Sequence, residues 1–276
     1  MDERQKQLLM DLSRSMGVSG QEGETFDLLQ KAVSPYGQTQ TDGLGNLLVT
    51  LKPVQKNGIH LLIDAHMDEV GFVLTHVDAH GFVKFAPCGG IDRRMMQGQQ
   101  MTILGRERVD AVVCSTPPHL SKDEKGALPA VEELFADTGL GKTAKEVLSV
   151  GDYALLKVQP QKLLNGYVTG KALDDRAGCM ALCLLCEQIA KMDVDFGVSV
   201  LFSCQEEIGE QGARVAAFGI APTHAIVVDV SFGRVPGDKE YQTGRMKGGP
   251  MIGFAPVLNK QMAQSLVRMA EQNRIP

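Results

Sequence analysis

The sequence has no Trp, only four Tyr and ten Phe, no block rich in basic residues and no apolar run of membrane-spanning length. The missing basic block, with 28 Lys plus Arg against 33 Asp plus Glu and a net charge of -5, removes the counterion-release footprint of a nucleic-acid binder. The missing apolar run removes a membrane-spanning helix. Internal repeats and low-complexity tracts are also absent. With 43% hydrophobic and 22% charged residues, this excludes disordered, collagen-like and coiled-coil readings. What remains is 276 residues of ordinary globular composition, enough for one large domain or two smaller ones.

The amino-terminal stretch is charged from Asp2 to Lys6, then places Leu8, Leu9, Leu12 and Met16 at helical spacing. That is an amphipathic helix and not the apolar core of an export signal, so a reducing cytoplasm is the expected compartment for the six cysteines. Cys183-Leu184-Leu185-Cys186 has the form C-x-x-C. Yet Cys179, Cys183 and Cys186 recur at i, i+4 and i+7 beside Leu182 and Ile189, which is the pattern of a buried helix face. No second Cys or His pair stands at the spacing of a structural zinc site.

Along the chain, Ser19-Gly20-Gln21-Glu22 reads as a loop and helix-start signal, followed by a second helix over residues 24–33. Apolar runs over 47–51 and 59–64 read as strands. Between about 71 and 164 short alternating runs separated by Gly, Pro and Asp predict a compact β barrel or sandwich, with one helix over 127–136. The rhythm then returns to α/β, with a helix over 175–190, a strand over 198–202, a helix over 210–218 and a strand over 225–228. The expected fold is therefore α/β, a mostly parallel sheet with helices on both faces, interrupted by a small β-barrel insertion. The expected division is 1–70 and 165–276 for the α/β domain and 71–164 for the insertion.

Three apolar strands end in acidic or imidazole side chains: Asp64-Ala65-His66-Met67-Asp68-Glu69, Ser203-Cys204-Gln205-Glu206-Glu207 and Asp229-Val230-Ser231. A fourth acidic group, Asp174-Asp175-Arg176, opens a helix. Taken singly, an Asp at a helix start is an N-cap, and an acidic pair after a strand is a solvated turn. Taken together they converge beyond the carboxyl ends of the sheet, where clustered carboxylates repel one another unless a cation neutralises them. One His with several carboxylates and no thiolate suits Zn, Mn or Co.

The segments Ala65-His66-Met67-Asp68-Glu69-Val70-Gly71, Ala172-Leu173-Asp174-Asp175-Arg176-Ala177-Gly178-Cys179, Gln205 to Ala213 and Asp229-Val230 resemble the motifs of the tetrahedral di-metal aminopeptidases. This is the glutamyl or deblocking aminopeptidase family, some members of which carry the label endoglucanase. The resemblance runs in order over essentially the whole chain. It implies a zinc-peptidase-like fold and removal of amino-terminal residues from peptides. It also implies two divalent ions, Zn or Co, with a metal-activated water as attacking group. By resemblance, His66 and Asp229 are ligands of one metal, Asp174 bridges both, and Glu207 is a ligand of the second. Glu206 matches the general base, and Asp68 the carboxylate that orients the His66 ring. Gly212 and Lys247-Gly248-Gly249-Pro250 also match the pattern. The insertion resembles the family's dimerisation domain, implying homodimers that build tetrahedral dodecamers.

The family pattern asks for one more ligand, a His well downstream of Asp229, whereas the six His stand at 60, 66, 76, 80, 119 and 224. His224 opens the strand whose far end carries Asp229, and His76, His80 and His119 fall in the insertion, where surface or assembly roles are expected. The second metal site is thus expected to be incomplete. A closing amphipathic helix over 260–271, with Arg274-Ile275-Pro276 reading as the approach to another strand, makes a C-terminally truncated chain the expectation. Two readings stand: a metallo-aminopeptidase whose activity is impaired by the missing ligand, and a non-catalytic oligomerising relative that binds one metal or none.

Overall fold

The structure is a computed structural model and describes residues 1–56, 58–115, 128–237, 239 and 243–276. Two compact units divide it, Met1–Asp229 and Val230–Pro276.

The first unit opens with α1 (Glu3–Arg14) and α2 (Gly23–Val33). Asp2 and Gln5 cap α1 reciprocally: the Gln5 N–H donates to Asp2 Oδ1 at 2.8 Å and the Asp2 N–H to Gln5 Oε1 at 2.9 Å. Strands β1 (Gln38–Thr41), β2 (Leu47–Lys52) and β3 (His60–His66) come next.

The chain then builds a closed barrel from β4 (Gly71–Val77), β5 (Phe82–Cys88), β6 (Gln100–Leu104), β7 (Arg108–Val113), β8 (Ala136–Asp137) and β9 (Tyr153–Leu156). The short helix α3 (Ala144–Val147) lies between β8 and β9, and a ribbon of β10 (Gln161–Lys162) and β11 (Val168–Thr169) leads out of the barrel. Strict alternation in β7, with Val109, Ala111 and Val113 inward and Arg108, Asp110 and Val112 outward, is what a filled barrel demands. Phe72 and Phe85 meet edge to face in its core at 5.1 Å between ring centroids.

The helix predicted over 127–136 does not form. Ala127 lies outside the described residues, and the chain from Leu128 onward makes a single 3-10 turn, Val131–Glu133, before entering β8. From Leu134 burial alternates with period two, because β8 closes the barrel by pairing with both β5 and β7. Tertiary pairing here overrides the helix propensity of an Ala- and Glu-rich stretch.

After the barrel come α4 (Leu173–Ala190), β12 (Gly197–Ser203), α5 (Gln211–Ile220) and β13 (His224–Val227). The main sheet runs β1-β2-β12-β3-β13 and is mixed. β12 and β13 flank β3 in parallel, while β1 with β2 and β2 with β12 are antiparallel, so the expectation of a mostly parallel sheet is corrected. Only half of the difference is local: β1 and β2 join through the tight turn at Asp42, whose carboxylate accepts the N–H groups of Leu44, Gly45 and Asn46, and such a hairpin is antiparallel, whereas the β2–β12 pair is a long-range contact. Ile63 and Val200 pack in a core with α1, α2 and α4, whereas Leu62 and Leu201 join Ala216 and Ile220 of α5. Cys179, Cys183 and Cys186 sit inside the larger core, and all six cysteines are free thiols. Among the described residues no helix is long and apolar enough to cross a membrane.

The second unit contains α6 (Lys260–Gln272), capped by Asn259, whose side chain accepts the Met262 N–H at 3.0 Å. The Lys247-Gly248-Gly249-Pro250 segment belongs to this unit.

Candidate functional site

Parallel pairing brings the polar strand ends together. Ser203 at the end of β12 pairs with His66 at the end of β3. Val227 pairs with Asp64, and the Val228 N–H donates to the Asp64 carbonyl, so Asp229 falls level with His66. The first turn of α4 adds Asp174. Ligands in open α/β sheets bind in this position, beyond the carboxyl ends of parallel strands.

His66, Asp174 and Asp229 each offer a ligand atom, and these atoms lie within 4.8 Å of one another. The imidazole is buried and the two carboxylates are exposed, so the group opens toward solvent on its acidic side. His66 Nε2 is 3.1 Å from Asp174 Oδ1, and Nδ1 is 3.4 Å from Asp68 Oδ1. Burial opposes a charge on this ring, but the carboxylates of Asp174 and Asp68 outweigh it and push the imidazole up to about 11. Asp175, buried behind Asp174, is pushed up to about 8 by burial and by the negative charges of Asp229 and Asp174, with His66 pulling the other way. The cluster thus holds more negative charge than it can carry alone. A divalent cation placed among these groups would supply positive charge, and an N-and-O donor set of this kind fits Zn, Mn or Co.

The neighbouring loop carries Glu206 and Glu207. The N–H of Glu206 donates to Asp68 Oδ1 at 2.9 Å and that of Glu207 to Asp68 Oδ2 at 3.2 Å. Asp68 is fully buried and also accepts the Ser19 hydroxyl at 2.6 Å. Burial alone would raise its pKa, yet these hydrogen bonds and His66 hold it below the usual carboxylate value. Glu207 is pushed up to about 7 by burial and the negative charges of Asp174, Asp68 and Glu206, against the pull of His66. Burial also raises Glu206.

Close packing fixes this loop and the start of α4. A Cβ at Gly212 would stand 2.3 Å from the Cys204 carbonyl and 2.4 Å from Asn46 Oδ1, so only glycine lets α5 begin directly under the loop. Asn46 fastens both sides, accepting the Cys204 N–H and donating to the Gly212 carbonyl. Asp175 Oδ1 accepts the Gly178 N–H at 3.0 Å. Beneath the site Glu69 takes Lys171 Nζ at 2.7 and 2.9 Å and lies 3.6 Å from Arg176 Nη2. Arg176, wholly buried, binds Ser15 Oγ, Thr25 Oγ1 and the Leu12 carbonyl, tying α1 and α2 to α4.

Of the other imidazoles, His60 is buried at the opposite end of β3 against Ser199, and His224 lies exposed at the opposite end of β13. His76 and His80 are exposed on the barrel, and His119 lies outside the described residues. Sequence reading gave no site role to Ser19, Glu22 or the Glu69–Lys171–Arg176 network, and named Asp175 only as part of the acidic group that opens α4. Ser19 and Glu22 did carry a signal, read as a helix start. Glu22 is the N-cap of α2 but makes no side-chain cap bond; its carboxylate accepts the Gly20 and Gln205 N–H groups instead.

Sheet, barrel and acidic strand ends together define an α/β protein with a candidate metal site at the carboxyl ends of its parallel strands. The family model of the M42 glutamyl aminopeptidases matches residues 45–276, and the chain belongs to that family. A lysyl aminopeptidase of Pyrococcus furiosus is 28% identical over 287 residues, spanning 98% of this chain and 79% of that protein. Among solved structures, a TET aminopeptidase from a marine sediment Thaumarchaeota archaeon superposes with a TM-score of 0.91 at 26% identity, covering 99% of this chain and 80% of the other. A Pyrococcus horikoshii TET1 peptidase, described as able to assemble into a tetrahedron or a large octahedral shell, gives a TM-score of 0.85 at 26% identity. That match covers 98% of this chain and 82% of the other.

Proposed function

We propose that the chain is a metal-dependent aminopeptidase that removes amino-terminal residues from peptides, with His66, Asp174 and Asp229 holding a divalent cation, Zn or Co. One observation carries the reading: three donor atoms of the right types lie within 4.8 Å of one another at the open end of a sheet whose neighbouring loop presents two more carboxylates. Asp174 would be the carboxylate shared with a second cation, and Glu207 would help hold that second cation. Among the described residues only those two carboxylates would hold the second cation, so it would be the weaker bound. A cation held there would acidify a water and polarise the scissile carbonyl.

Glu206 takes a proton from the attacking water as its oxygen adds to the carbonyl carbon, and returns that proton to the amine nitrogen as the C–N bond breaks. Asp68 keeps the His66 ring turned toward Asp174 and carries the loop that bears Glu206. Gly212 allows that loop its close seat on α5. Self-assembly is supported by the shells that the TET1 peptidase is described as forming, and the family resemblance of the insertion makes the barrel region, 71–164, the surface we propose for it. A cytoplasmic compartment suits six free thiols.

The test is to strip the chain with a chelator, titrate Zn or Co, and follow both bound metal and release of amino-terminal residues from short peptides. Turnover should appear only with metal. Glu206→Gln should keep the tighter ion and lose turnover by about 10²–10⁴-fold. Turnover unaffected by the chelator, or by Glu206→Gln, overturns the assignment.

A further inference from the structure

We propose that Ser19 is a positioning residue of this site, whose hydroxyl locks the Asp68 carboxylate in the one orientation that serves His66 and the Glu206–Glu207 loop together. The inference rests on the aminopeptidase reading for its catalytic consequence, but its geometry stands apart from it. Ser19 is 1% exposed and Asp68 0%, and Ser19 Oγ donates to Asp68 Oδ2 at 2.6 Å, a short charge-assisted bond in a dry setting.

The hydroxyl is not spent on capping α2, since the N-cap of that helix is Glu22. Nor is Ser19 free to drift. Its N–H donates to the Glu69 carbonyl at 3.2 Å, the Glu69 N–H donates to the Gly17 carbonyl at 2.9 Å, and Val18 bridges to Glu69 in parallel. An isolated parallel bridge thus holds the segment around Ser19 beside the residues that carry Asp68.

The need for such a lock arises from the side chain it holds. The terminal torsion of an aspartate is broad and two-fold, so its own rotamer preferences do not fix where each oxygen points. Asp68 must present Oδ1 to both His66 Nδ1, at 3.4 Å, and the Glu206 N–H, at 2.9 Å. Its other oxygen, Oδ2, receives the Glu207 N–H at 3.2 Å, a long bond that the Ser19 hydroxyl reinforces. Without that hydroxyl, Oδ2 keeps only the longer of the two backbone bonds. The carboxylate then gains freedom to turn, and ring and loop lose their common anchor. Outer hydrogen bonds of this kind typically change metal affinity or activity by about 10–100-fold.

The experiment compares the parent with Ser19→Ala, Asp68→Asn and the double variant. Hydrogen exchange followed by mass spectrometry reads the metal-stripped chain, Co titration reads affinity, and peptide hydrolysis gives kcat and KM. In Ser19→Ala the peptide spanning 205–209 should exchange about tenfold faster while β12 keeps its parent protection. Co should bind about tenfold more weakly, and kcat should fall about tenfold with KM held within about twofold. In the Asp68→Asn background, removing the hydroxyl should add nothing, because the group it orients is already altered.

Parent-like exchange and Co affinity in Ser19→Ala, or losses that add to those of Asp68→Asn, overturn the proposal. A uniform rise in exchange across the unit also overturns it, since that is the mark of a merely structural serine. If the parent chain hydrolyses no peptide, the aminopeptidase reading fails on its own, while the exchange and Co measurements still decide the role of Ser19.

Discussion

The Glu206 N–H donates to Asp68 Oδ1, the same oxygen that lies 3.4 Å from His66 Nδ1. One carboxylate oxygen therefore joins the proposed metal ligand to the backbone of the proposed general base, across two neighbouring strand ends. The family resemblance implies that Asp68 orients His66; the geometry adds the loop after β12 to its load.

Asp68→Asn should therefore cost more than ring orientation. An amide has one acceptor oxygen where the carboxylate has two, so at least one of Ser19 Oγ, the Glu206 N–H and the Glu207 N–H is left facing an NH2 group. The expected outcome is about 10–100-fold weaker Co binding and a loss of about 1–3 kcal/mol in stability from the unsatisfied buried donor. Spectroscopic Co titration and a urea unfolding curve measure the two. Parent-like values in both would mean that the Asp68 contacts do not carry the load assigned to them.

Glu69 makes a separate prediction. It faces Lys171 and Arg176, whose side chains are 11% and 0% exposed, and burial already holds the Lys171 ammonium below its ordinary pKa against the pull of Glu69. Removing the shared carboxylate with Glu69→Ala strands two cations out of water, which costs about 3–5 kcal/mol for broken buried pairs. The urea midpoint should fall sharply. Glu187→Gln, which breaks the exposed Glu187–Lys191 pair, should leave it unchanged. Equal effects from the two variants would contradict the buried network.

How much of this was legible in the sequence depends on how far apart the partners lie. His66, Glu206, Glu207 and Asp229 each come after an apolar strand, so their place at strand ends is a local property. Strand direction is not: β2 and β12 are apolar runs alike, and nothing in such a run says that β2 lies antiparallel to its neighbour. Ser19 was visible only as the first residue of Ser-x-x-Glu, a pattern shared with helix caps, because its partner stands 49 residues away. The stretch after Ala130 misled for a related reason. Local propensity favours helix there, while β5 and β7, both distant in sequence, require a strand.

The C-x-x-C segment gives a prediction about reactivity. Cys179, Cys183, Cys186 and Cys204 are buried, and burial pushes Cys186 and Cys204 each up to about 12, while Cys88 and Cys114 are half-buried. Burial raises Cys88 and Cys114 as well, so access decides: in the native chain these two should react with an aromatic disulfide reagent, though slowly, and the other four only after denaturation. Rapid native-state labelling at Cys183 or Cys186 would contradict the packed helix face.

Acid stability is tied to His60, far from the proposed metal ligands at the other end of β3. Its imidazole is 9% exposed, with Nε2 3.0 Å from Ser199 Oγ, and burial lowers its pKa below the ordinary value of 6.5. The unfolded chain then binds this proton more readily than the folded one as pH drops past about 6.5. The stability contributed by neutral His60 is therefore complete above that value and is lost as pH falls through the lowered folded one. His60→Gln, which keeps a polar group near Ser199 without a titrating ring, should flatten this part of the curve. Calorimetric melting at pH 7.5 and pH 5.5 checks it: the parent should lose more of its melting temperature between the two than the variant does, and identical losses would remove His60 as a source of the acid sensitivity.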